Sequence, residues 1–119
     1  MNKIVKKVVA FLEEKHGEKI NEKYRKDRIE EIVLNCVSLS ETWFSKAPKD
    51  SKLSYELTLF NKNGVLSETL HGVTKDNVAA SLSDILITKS DQYSKITLNS
   101  FSFNDESKRV KTIGEIEIS

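Results

Sequence analysis

Two runs of alternating apolar and polar residues meet at Asn61-Lys62-Asn63-Gly64, and no other stretch limits the fold of this chain as tightly. Leu53, Tyr55, Leu57 and Leu59 alternate with Ser54, Glu56 and Thr58 before the turn. Val65, Leu66 and Leu70 sit among Ser67, Glu68 and Thr69 after it. A period of two on either side of Asn-Gly predicts a β-hairpin, because both residues tolerate the positive φ of a two-residue turn. A four-residue loop over 61–64 is the alternative. Both loop lengths have the same parity, so both predict Tyr55, Leu57 and Leu59 on an inner face with Leu66 and Leu70. The outer face then carries Glu56, Thr58 and Phe60 opposite Val65, Ser67, Thr69 and His71, and is polar except at the turn end.

The segments on either side read as elements that cover the inner face. From Asn2 to Lys15 the residues Ile4, Val5, Val8, Val9, Phe11 and Leu12 share one side of a helical wheel, which predicts an amphipathic helix. Asn2 suits its N-cap and Gly17 its C-terminal stop. Glu18 to Arg28 offers only Ile20 and Tyr24 as apolar anchors and reads as either a short helix or a connector. From Ile29 to Phe44 the pattern reads as a strand. Ile32, Leu34 and Cys36 take one parity and Val33, Val37, Leu39 and Trp43 the other, as in a strand covered on both faces or one carrying a bulge. Ser45 to Asp50, with the only proline, reads as a turn.

Beyond the hairpin, Thr74 is the expected N-cap of a second helix in which Val78, Ala79, Leu82, Ile85 and Leu86 share a side. Ser90 to Tyr93 is a turn. Ile96, Leu98, Phe101 and Phe103 mark a strand whose inward parity switches between Leu98 and Phe101, as a bulge would make it. Asn104 to Lys108 is the next turn. Val110 to Ile118 forms the last strand, where Gly114 marks a bulge or a close backbone approach and Glu115 and Glu117 protect an edge. The expected fold is therefore one α+β domain. An antiparallel sheet of about five strands carries an N-terminal helix and a second helix inserted between strands three and four, with the helices packed on one face.

Composition narrows the function. Nineteen basic and eighteen acidic side chains nearly cancel and are interspersed, which advertises neither a nucleic-acid nor a membrane partner. The longest uncharged run near the N-terminus, Val8 to Leu12, is shorter than a signal-peptide core. One cysteine, Cys36, allows no internal disulfide and suits a reducing compartment, so a soluble, cytoplasmic protein is expected. Cys36 itself reads as a small buried apolar residue. There is no Cys-x-x-Cys, His-x-x-x-His, Gly-rich phosphate loop or Gly-x-Ser-x-Gly. His16 at a helix end and His71 after a strand have no acidic residue at a spacing that would orient either ring. Glu13-Glu14, Glu30-Glu31 and Asp105-Glu106 are adjacent pairs, which diverge on a helix or strand. The residues predict no catalytic site, metal or cofactor.

Protein binding remains. The outer hairpin face, with Glu56, Phe60, Val65 and His71, is the candidate surface, and Trp43 a candidate anchor because tryptophan is enriched at interface hot spots. The same pattern also reads as a solvated sheet face and, for Trp43, as core closure. The size, single cysteine, Lys/Glu/Ser/Asn-rich composition and α+β layout resemble the immunity proteins that bacteria make against a cognate toxin, such as those of colicin or contact-dependent inhibition systems. That resemblance implies a non-catalytic inhibitor that covers or distorts a toxin's active site. The order of elements also resembles type III secretion chaperones, which usually end in a further helix and are markedly acidic; this chain has neither property. A small hydrolase using His71 with a nearby carboxylate and a nucleic-acid-binding domain are the remaining alternatives.

Overall fold

A computed structural model describes residues 2–47, 53–104 and 107–118. Among them run α1 (Lys3–His16), α2 (Lys19–Lys23), α3 (Lys26–Lys46), β1 (Ser54–Asn61), β2 (Leu66–Val73), α4 (Val78–Thr88), β3 (Tyr93–Asn104) and β4 (Ser107–Glu117). Two compact units emerge. A helical unit takes the residues up to Glu41 together with Lys75–Lys89, and a sheet unit takes Thr42–Thr74 and the residues from Ser90 onward.

In the helical unit α1 forms as its wheel requires. The Asn2 side chain accepts a hydrogen bond from the Ile4 amide at 2.8 Å, satisfying one of the orphan donors of the first turn. Gly17 ends the helix at φ 64°, its amide donating to the Glu13 carbonyl. Val5, Val8, Val9 and Leu12 are buried, while Ile4 and Phe11 are exposed, so the buried arc is narrower than the apolar one. Within Glu18 to Arg28 the chain forms the five-residue α2, whose Ile20 is buried, and then enters α3 at Lys26.

The expected strand from Ile29 to Phe44 is instead most of α3, a helix of 21 residues. Ile29, Val33, Cys36, Val37, Ser40 and Trp43 are its buried positions. Their spacings of four, three, one, three and three follow the helical repeat. The stripe itself occupies both strand parities, Cys36 on one and Val33 and Val37 on the other, which suggested a covered strand, and Leu34 and Leu39, one on each parity, lie off it; Leu34 is 47% exposed. The hydroxyl residues fit the helix by bonding back one turn. Ser40 Oγ donates to the Val37 carbonyl at 2.8 Å and Ser45 Oγ to that of Thr42 at 2.7 Å. Cys36 is buried as expected, but in this helix. The loss of that strand leaves four strands where five were expected. The turn placed at Ser45 to Asp50 lies partly outside the described residues, as does Asn104 to Lys108.

The second long apolar stripe forms α4, between the hairpin and β3 as expected, but it starts later. Residues 75–77 make a turn and Asn77, not Thr74, holds the cap position. Val78, Ala79, Leu82, Ser83, Ile85 and Ile87 are buried, and Leu86 only half so.

The sheet unit is a four-stranded antiparallel sheet of order β2-β1-β3-β4. The hairpin forms with neither expected loop. Asn61 N donates to Val65 O and Gly64 N to Asn61 O, both at 2.9 Å, so Lys62, Asn63 and Gly64 form a three-residue loop, with Gly64 at φ 77°. Asn61 Oδ1 accepts from the amides of Asn63 and Val65, which favours this turn over the shorter one. An odd loop reverses the parity at the turn end. Phe60 pairs with Leu66, and Leu66 is 54% exposed instead of facing inward. An irregularity between Leu59 and Phe60 restores the expected register, so Leu57 pairs with Leu70 and Leu59 with Glu68.

β1 and β3 pair without a shift from Ser54↔Phe101 to Phe60↔Lys95. The parity switch expected between Leu98 and Phe101 is therefore absent, and Phe101 lies on the face of Asn99 and Thr97. The bulge is in β4 at Ile113, between Leu98↔Gly114 and Asn99↔Thr112. The approach expected at Gly114 is also present. The Trp43 indole lies where a Cβ on Gly114 would sit, and Phe44 meets Tyr55 edge to face with ring centroids 4.9 Å apart. Leu57, Leu59, Ile96 and Leu98 on the inner parity are buried. β4 is an edge strand that carries Glu115 and Glu117, the protection expected of it.

Candidate functional site

Registered pairing assigns the outer parity of the sheet to Glu56, Thr58 and Phe60 of β1, Leu66, Thr69 and His71 of β2, Lys95, Thr97, Asn99 and Phe101 of β3, and Val110, Thr112, Glu115 and Glu117 of β4. Its centre is a hydrogen-bonded band. The Thr58 and Thr97 hydroxyls bond each other, Asn99 Nδ2 donates to Thr58 Oγ1 at 3.2 Å, and Thr112 Oγ1 donates to Asn99 Oδ1 at 2.9 Å. Cross-strand partners thus satisfy side chains that would be costly to bury unpaired. Apolar groups flank the band at both ends. Phe60 and the exposed Leu66 lie at the turn end, with Lys95 Nζ 4.5 Å from the Phe60 ring centroid. Phe101 and the exposed Val110 lie at the other.

Of the five residues singled out in the sequence, Glu56, Phe60 and His71 share this face. Val65 is adjacent, at the end of the hairpin loop and 58% exposed. Trp43 does not join them. It is buried against Gly114, which pairs with the inward Leu98. Glu56 and Thr58, expected on a solvated face, are buried, because β1 is an interior strand with neighbours on both sides. Leu66, Phe101 and Val110 were missed as outer residues. The odd hairpin loop turns Leu66 outward at the turn end, the bulge at Ile113 puts Val110 on the opposite face from Ile116, and β3 runs without the bulge expected in it, which leaves Phe101 outward; Gly114 was the one local signal of the β4 bulge.

Both histidines face carboxylates that their sequence spacing did not reveal. His71, within β2 and not after it, places Nδ1 3.6 Å from Glu56 Oε2, an ion pair when the ring is protonated but too long for a hydrogen bond. In the helical unit His16 Nε2 donates to Asp84 Oδ1 at 2.6 Å, and Lys15 Nζ reaches Oδ2 at the same distance. Among the described residues no hydroxyl or thiol hydrogen-bonds either ring. None of them forms a group of three side chains able to hold a metal ion. Burial pushes the Cys36 thiol up, more than its hydrogen bond with Ser83 brings it down, the opposite of what a thiolate nucleophile needs.

Partial burial raises the Asp84 carboxyl, but the hydrogen bonds and charges of Lys15 and His16 outweigh it and hold its pKa below the ordinary value. Such a carboxylate stabilises the fold above its unfolded pKa, about 3.9, and that contribution disappears as pH falls through the folded value. Asp84→Asn is expected to cost about 1–2 kcal/mol at neutral pH. Urea titrations between neutral pH and about pH 3 are expected to show a shallower acid loss in the variant than in the wild type. Parallel acid profiles would mean the clamp contributes nothing.

Among the described residues no helix is long and apolar enough to cross a membrane. No protein-family model, curated protein or solved structure matches this chain.

Proposed function

We propose that this chain is a non-catalytic protein-binding protein, an immunity-type inhibitor that neutralises a cognate bacterial toxin domain, and that it binds through the outer face of its sheet. The observation that carries the reading is the arrangement of that face, where exposed apolar side chains flank a hydrogen-bonded polar band. Interfaces combine desolvated apolar anchors with satisfied polar groups in this way. A rigid sheet also presents them without the cost of ordering a loop.

Leu66→Glu and Phe60→Ala are expected each to weaken the toxin complex about 30-fold or more, as hot-spot truncations do. Because Leu66 is exposed, Leu66→Glu should leave the melting temperature within about 2 °C of wild type. Titration calorimetry with the toxin domain checks the first, and thermal unfolding the second. Unchanged affinity in both variants would place the interface elsewhere.

The couple of His71 with Glu56 supports a second reading, a small hydrolase in which a carboxylate orients an imidazole base. In that case His71→Ala abolishes turnover in a substrate screen. A binder has no turnover to lose.

A further inference from the structure

We propose that Asn63 is a self-modifying site, where the Gly64 backbone nitrogen attacks the side-chain amide and converts the residue to isoaspartate and aspartate at the tip of the hairpin. This chemistry does not depend on the role of the sheet face. Of the asparagines in the chain, Asn63 alone is followed by glycine. A side chain on the following residue would crowd the attacking nitrogen. Apart from the chain neighbours of Gly64, no heavy atom lies within 4 Å of the place where its Cβ would sit, so the surroundings leave the approach open as well.

The loop treats its two asparagines differently. Asn61 Oδ1 accepts from the amides of Asn63 and Val65 at 2.9 and 3.1 Å, which holds its carboxamide, and Lys62 follows it with a full side chain. Asn63 is exposed, and among the described residues no group hydrogen-bonds its side chain. Its Cγ is free to turn toward Gly64 N. One bond opposes the attack, since Gly64 N donates to Asn61 O at 2.9 Å. That carbonyl also accepts from Ser94 Oγ at 2.6 Å, so it keeps a partner when Gly64 N lets go, and a bond at an exposed turn opens without unfolding the sheet. The reaction needs only water. Gly64 N bonds to Asn63 Cγ and gives up its proton, the bond from Cγ to the side-chain nitrogen breaks, and that nitrogen leaves with the proton as ammonia. Water then opens the cyclic succinimide, giving isoaspartate by attack at the main-chain carbonyl and aspartate by attack at the side-chain carbonyl. Either product adds one negative charge to a chain of formal net charge +1. Isoaspartate also lengthens the loop backbone beside Val65 and Leu66, both exposed.

Incubation of the full chain at neutral pH, folded and in concentrated urea, followed by peptide mass spectrometry and labelling with an isoaspartate-specific methyltransferase, tests this. Product is expected in the hairpin peptide of the folded chain and, over the same period, at no other asparagine. The folded chain should convert at a rate within about tenfold of the unfolded one, the scale of opening one hydrogen bond. A route through global unfolding would instead slow it by roughly a thousandfold or more. Asn63→Gln is expected to remove the product, because the longer side chain closes its ring far more slowly. No product at residue 63 of the folded chain while the unfolded chain converts, equally fast conversion at another asparagine, or undiminished product in Asn63→Gln would overturn the proposal.

Discussion

Replacing Gly114 by alanine is expected to destabilise the protein by about 3 kcal/mol or more, at the upper end of overpacking costs, and to lower the melting temperature by roughly 10 °C. The sign is the informative part. Glycine inside a strand ordinarily weakens it, so alanine there would normally stabilise by about 0.5–1 kcal/mol. Here the added Cβ would fall within the indole ring of Trp43. That ring is buried and cannot swing into solvent without losing its packing. Trp43→Ala alone is expected to cost about 3–5 kcal/mol. In the double variant the clash is gone, so the two costs should add to much less than their sum. Chemical denaturation of the three variants measures this, and a neutral or stabilising Gly114→Ala would remove the indole from the place assigned to it.

The second large effect tests α3. Val33→Pro is expected to cost about 4 kcal/mol or more. A proline inside a helix costs about 3 kcal/mol through the lost amide donor and the clash with the preceding turn, and Val33 also gives up a fully buried site. Against a total stability of about 5–15 kcal/mol, much of the helical signal in circular dichroism should disappear. Leu34→Ser, one residue on, is expected to stay within about 0.5 kcal/mol because Leu34 points to solvent. A reversed pair of effects would contradict the buried stripe that defines the helix.

That stripe shows where the sequence is legible and where it is not. α1 and the hairpin could be read because a cap, a stop and a turn punctuate them: Asn2 and Gly17 bound the helix, and Asn61 to Gly64 bends the strands. α3 has no such punctuation within it. It holds β-branched Ile29, Ile32, Val33 and Val37 together with Ser38, Ser40 and Thr42, residues of modest helix propensity whose local preference favours a strand. Its helical spacing was present but masked by Leu34 and Leu39, and packing decided the outcome.

The candidate face was legible to the same limited depth. Period-two alternation placed Glu56, Phe60 and His71 together, because parity within a regular strand is fixed. It failed for Leu66 and Val110, since one extra residue in the hairpin loop or in the β4 bulge shifts parity locally, and for Phe101, since the bulge expected in β3 lies in β4 instead. Trp43 had two readings that only tertiary packing separates. The carboxylates beside His16 and His71 come from residues 68 and 15 positions away, a distance at which spacing carries no information.

The measurement that bears most directly on the proposed role is hydrogen exchange on the chain alone and with the C-terminal domain encoded by the neighbouring open reading frame, paired with calorimetry on Phe60→Ala and Leu66→Glu. The account predicts a one-to-one complex, slowed exchange concentrated in β1 and β2, and affinity sharply reduced in both variants. A complex that protects other segments and binds both variants like the wild type, or no complex at all, would contradict it.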